Sequence, residues 1–172
     1  MKNSVKIAFC GIVAALVCVI MTASLIPNIT LAVPAVAGLF LIPVIAEAGV
    51  VPALLCFAAS GALSFFTGNK TSWFLFVIFF GYYPVIRCLI EKNRFALLKW
   101  ILKLSVFNAA AVICLVVQYN TVGLSFKGWY LALAFVLGNI VFLIYDVAVS
   151  RLAALYYLRF HKRISSMLGN KK

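Results

Sequence analysis

The stretch WYLALAFVLGNIVFLIYDVAVSRLAALYYL, residues 129–158, holds one acid, Asp146, and one base, Arg151, in thirty residues. At about 1.5 Å of rise per residue it makes a helix of about 45 Å, longer than the roughly 30 Å hydrocarbon core of a bilayer. A soluble helix of that length needs a broad polar face, and this run has none, so it is read as a tilted or protruding membrane helix.

Outward from it lie five further apolar runs: Val5 to Ile26, Leu31 to Ala46, Val50 to Phe66, Trp73 to Ile90, and Phe95 to Tyr119. None alternates polar and apolar positions as a barrel strand does. Backbone groups in lipid must then bond within each run, which predicts an all-α fold of six transmembrane helices forming a single membrane domain over residues 1–172. The composition agrees: 66% hydrophobic, 10% charged and a mean hydropathy of +1.17, far from a soluble domain. The stretch from Ile7 to Ile26 follows Lys2 and Lys6, exceeds the usual length of a signal peptide's apolar core and lacks a convincing small-x-small cleavage site, so a retained first helix is expected. Turn chemistry fills the breaks at Pro27-Asn28, Glu47 to Gly49, Thr67 to Ser72, Glu91 to Arg94 and Asn120 to Gly128. Pro34 and Pro43 predict a kink in the second helix.

A net charge of +12, from 15 basic and 3 acidic residues, would suggest a nucleic-acid partner in a soluble protein. Here the bases cluster at the ends of apolar runs and set topology instead. With the N-terminus cytoplasmic, thirteen Lys and Arg fall inside and only Lys70 and Lys127 outside, which predicts both termini cytoplasmic. The same orientation puts Trp73 and Trp129 at the outer interface.

No catalytic constellation is visible, so no enzymatic activity and no cofactor are expected. The single histidine, His161, stands in a basic tail. Phosphate-loop, zinc-protease and serine-hydrolase motifs are absent. Cys10, Cys18, Cys56, Cys88 and Cys114 each lie inside an apolar run and read as small apolar filler, not as a metal site or disulfides.

Ionisable groups inside a membrane are costly and are followed individually. Arg87 and Asp146 reach similar depth near the inner face and are expected to pair, with Glu47 at the same level. Asn139, Asp146 and Ser150 make a polar stripe on the last helix, and Ala53, Cys56, Ser60, Ser64 and Thr67 a small-residue stripe on the third. On helix one, Gly11 and Ala15 stand four apart, and Ala14, Cys18 and Thr22 form a second ladder. Such ladders let helices approach closely.

With about 170 residues, six helices, both termini inside, a small-xxx-small first helix, Pro/Gly-rich second and third helices and a basic tail, the chain resembles the S components of energy-coupling factor transporters. These are the substrate-capturing membrane subunits of bacterial vitamin and micronutrient importers. The family's A-x-x-x-A pattern on helix one corresponds to Gly11 through Ala15, with glycine at the first position. The resemblance implies that Gly11 and Ala15 dock on a transmembrane T component driven by two ATPase subunits in the cell membrane. It also implies capture of a small molecule from outside, which directs attention to Asn69, Lys70, Trp73, Gln118, Asn120, Lys127 and Trp129, with Asn108 and Asn139 deeper. Metal-importing members carry a histidine near the N-terminus, and Met1-Lys2-Asn3 offers none, so a metal substrate is not expected.

A scaffold resembling the rod-shape-determining membrane protein D, which binds no substrate, is the alternative. A small ion-coupled transporter is disfavoured by the lack of an inverted repeat and of a mid-membrane carboxylate.

Overall fold

The computed structural model describes the backbone of residues 3–122 and 128–160, and among them there is no strand. The helices are α1 (Asn3–Thr22), α2 (Ala32–Leu39), α3 (Leu41–Glu47), α4 (Val50–Thr67), α5 (Lys70–Leu75), α6 (Tyr83–Glu91), α7 (Ala96–Val122) and α8 (Gly128–Leu155). π-helical turns follow α5 at Phe76–Phe80 and α8 at Tyr156–Phe160. Five stretches are long and apolar enough to cross a membrane: Ser4–Leu25, Val50–Thr67, Lys70–Glu91, Ala96–Val117 and Ala132–Arg159. The chain is therefore an all-α, multi-pass membrane protein.

The expected second helix is two helices, α2 and α3, hinged at Phe40. Pro43 has no N–H to offer the carbonyl four residues earlier, and the Phe40 N–H turns back to the Ala37 carbonyl at 3.2 Å. Gly49, at φ 98°, makes the tight link from α3 to α4 in a conformation that L side chains rarely adopt. The expected outer loop Thr67 to Ser72 shrinks to Gly68-Asn69, because Asn69 caps α5: its Oδ1 accepts from the Thr71 N–H at 2.9 Å. Likewise α7 runs on through Asn120, which the sequence reading placed in a break.

The described chain divides into two compact units, one made of the chain up to Leu89 together with the chain from Val149, the other of Ile90–Ala148. In the first, α1 packs on α4. Val13, Ala14, Val17 and Met21 meet the small-residue stripe Ala53, Cys56, Ser60 and Ser64, and all of these are buried. With no bulky side chain between them, the Cys56 thiol reaches the Cys10 carbonyl at 3.4 Å, and the Cys10 thiol lies 3.8 Å from the Pro52 carbonyl. All five cysteines are free.

The same unit is tied at both ends. At one end Ser72 Oγ donates to the Thr30 carbonyl at 2.7 Å, and the Asn69 N–H donates to Ser24 Oγ at 3.0 Å. At the other, Tyr156 donates to Glu47 Oε1 at 3.0 Å and Arg87 donates to Ser150 Oγ at 2.7 Å. The apolar stretch Ala32–Glu47 is shorter than the five long spans, yet it is held at the same two levels as Lys70 to Arg87.

In the second unit α7 and α8 run antiparallel in a regular register. Lys103 meets Asp146, Phe107 stacks on Phe142 with ring centroids 4.5 Å apart, and Asn108 bonds Asn139. From Lys103 to Phe107 one number rises by four while from Asp146 to Phe142 the other falls by four. Gly138 leaves room for the edge of the Phe107 ring, 3.6 Å from where a Cβ would stand.

Candidate functional site

Three of the residues expected to meet a substrate gather at the Thr30/Ser72 end of the first unit. Helix α4 delivers Phe65 and α5 delivers Lys70 and Trp73, because the two-residue turn leaves the helices side by side. The Lys70 ammonium lies 3.7 Å above the Phe65 ring, and the Trp73 ring packs edge-on against it at 4.9 Å. The Trp73 indole N–H donates to the Gly61 carbonyl at 2.8 Å, so its polar edge is used inside the protein. Asn69 supplies the helix cap. Exposed Lys70, over a Phe65 ring that also packs on Trp73, presents a cation to which an anionic group could bind.

In the second unit Asn108 and Asn139 face each other. Asn139 Nδ2 donates to Asn108 Oδ1 at 3.1 Å and Asn108 Nδ2 to Asn139 Oδ1 at 3.3 Å. Each amide also donates to the carbonyl four residues earlier, Leu104 for Asn108 at 2.9 Å and Phe135 for Asn139 at 2.8 Å. All four amide hydrogens are thereby used, and only acceptor lone pairs remain for any ligand. Trp129 is 60% exposed, as an interfacial ring would be. The side chains of Gln118 and Asn120, and the whole of Lys127 and His161, lie outside the described residues.

The three acids are each engaged. Glu47 takes the Tyr156 hydroxyl, Glu91 takes Lys99 and Lys103, and Asp146 takes Lys103. Lys103 is the member that sequence reasoning missed, having been counted only as one of the inner bases. It lies 2.7 Å from Glu91 and 3.0 Å from Asp146, with only 5% of its side chain exposed. Its place two turns inside α7 was the available signal, since an ammonium about 10 Å along an apolar helix needs a carboxylate at its depth. Arg87 belongs to the first unit and Asp146 to the second. Among the described residues no group of three or more His, Cys, Asp or Glu is placed to hold a metal ion.

On α1 the two small-residue ladders part ways. Ala14 is buried against α4, and the Cys18 thiol reaches the Ser60 carbonyl and Ser64 Oγ, both at 3.9 Å. Gly11 and Ala15 are exposed, and a Cβ added at Gly11 would meet nothing within 4 Å. Ala14 and Cys18 of the second ladder are spent on the fold, Thr22 is exposed with its hydroxyl donating to the Val19 carbonyl at 2.7 Å, and the first ladder is uncovered.

The chain matches no family model, no curated protein and no solved structure.

Proposed function

We propose that this chain is the substrate-binding membrane subunit of an energy-coupling-factor-type importer, taking up a vitamin or similar small micronutrient across a bacterial cell membrane. It works by binding and not by catalysis. A transmembrane T component and two ATPase subunits supply the energy, because the chain has no nucleotide-binding motif of its own. Six crossings with both termini cytoplasmic are part of the same proposal, motivated by the thirteen-to-two distribution of bases.

The observation that carries the reading is the open Gly11/Ala15 face of α1. A membrane helix that buries one small-residue ladder on its own neighbour and leaves another facing lipid gains little from the second unless another helix closes on it. Lys70 beside the Phe65 and Trp73 rings supports capture of an organic anion at the outer end, with Trp129 and Gln118 as further candidates. Calorimetry or native mass spectrometry of the purified full chain across water-soluble vitamins is the test, with tight binding of one of them expected and Lys70→Gln weakening it. No binding by any candidate would reject capture.

One observation favours the scaffold alternative. The mid-helix amides of Asn108 and Asn139 have spent their hydrogens on each other and on their own helices, as purely structural polar groups do. A scaffold would bind no vitamin and would purify with cell-wall enzymes.

A further inference from the structure

Between the hinged helices α2 and α3 and the end of α8, the first unit carries an open groove of about 330 Å³. Val36, Phe40 and Pro43 form one wall, and Leu152, Leu155 and Tyr156 the other. Phe40, the hinge residue, stands in its wall. Its one polar lining group, the Tyr156 hydroxyl, is already bonded to Glu47 at 3.0 Å. The other lining side chains are all apolar.

The rim is charged. Arg151 stands four residues before Leu155, about 40° from it around α8, and Arg159 four residues after it, in the π-helical turn Tyr156–Phe160. Leu155 lines the groove, and both arginines are exposed, one a turn before that lining in the chain and one a turn after. Both walls belong to apolar stretches of a membrane protein, so the medium at the groove mouth is lipid.

We propose that this groove binds one anionic phospholipid, its acyl chain lying along Phe40, Pro43 and Leu155 and its phosphate held by Arg151 and Arg159. The occupant follows from the two chemistries side by side. An acyl chain needs the apolar trough, whose volume equals that of about ten water-sized groups, and a headgroup phosphate needs the guanidinium pair. A second apolar helix would satisfy the trough and offer the two guanidinium groups no anion.

The test is native mass spectrometry of the detergent-purified full chain, titrated with dioleoyl phosphatidylglycerol, dioleoyl phosphatidylcholine or free glycerol phosphate. One phosphatidylglycerol should be retained in preference to phosphatidylcholine, and glycerol phosphate should not bind. If each arginine is worth about a factor of five, Arg151→Gln with Arg159→Gln should lower the preference by about twenty-five-fold. Leu155→Trp, which fills the trough, should lower retention of both lipids. Lys92→Gln with Arg94→Gln, basic residues of the other unit, should leave the preference unchanged. Equal retention of the two lipids by the unaltered chain would overturn the proposal. So would an equal fall in preference with the Lys92/Arg94 variant, which would mark diffuse attraction to the basic surface. Binding of glycerol phosphate alone would show a phosphate site without an acyl chain.

Discussion

Lys103 Nζ lies 3.0 Å from Asp146 Oδ2, across antiparallel helices and with both side chains no more than 5% exposed. A charge pair at that depth is costly to assemble and more costly to break, because losing either group takes a charge partner from the other, Lys103 then keeping Glu91 at 2.7 Å. Lys103→Met and Asp146→Leu should each destabilise the chain by about 3 kcal/mol, and the double variant by clearly less than the sum. Thermal unfolding in detergent reads this out. Additive losses would mean that the two charges do not depend on each other. A parallel cycle with Arg87→Met tests the Arg87–Asp146 pairing expected from the sequence, and coupling of Asp146 to Lys103 alone would reject that pairing.

The Asn108–Asn139 pair makes a different forecast. Replacing either with leucine strands a mid-helix amide at a cost of about 1 kcal/mol, and replacing both should recover most of it, since neutral polar contacts in membranes are individually modest. If both leucines together leave substrate binding intact, the amides hold α7 to α8 and nothing more.

At Gly81 an added methyl group would collide with the side chain of Phe57, directly after the π-helical turn. Gly81→Ala should lower stability by about 1–3 kcal/mol, and Gly81→Ala with Phe57→Leu should restore part of the loss. An unchanged melting temperature for Gly81→Ala would show that Phe57 swings aside freely.

How much of this was legible beforehand differs by residue. The apolar runs, the kink from Pro43 and the small stripe Ala53, Cys56, Ser60 and Ser64 were legible, because lipid leaves the backbone few choices and small residues mark close approach. The Phe65–Lys70–Trp73 group was half legible. Lys70 and Trp73 stood out as outer polar and aromatic residues, but Phe65 and the two-residue turn emerge only from the Asn69 cap. Lys103 was hidden by counting bases by loop and not by depth, and Tyr156 because a tyrosine near a helix end reads as an interfacial ring. The π-helical turns at Phe76 and Tyr156 left no sequence signal, since an extra residue in a turn does not alter hydropathy.

Topology is checked by labelling with a membrane-impermeant maleimide in intact cells. Asn69→Cys should react from outside, and Asn93→Cys only after the membrane is opened. Labelling of Asn93→Cys in intact cells would reverse the orientation and remove the outer capture site.

Closure of a transport partner on the exposed Gly11/Ala15 face of α1, as proposed, is tested by affinity purification of the tagged full chain from its native membrane. One polytopic subunit and two ATPases should be recovered with it. Gly11→Leu with Ala15→Leu should abolish that recovery and leave the unfolding free energy within about 0.5 kcal/mol of the original, as expected for exposed positions. Recovery of the same partners with both leucines in place, or recovery of cell-wall enzymes without any ATPase, would contradict it.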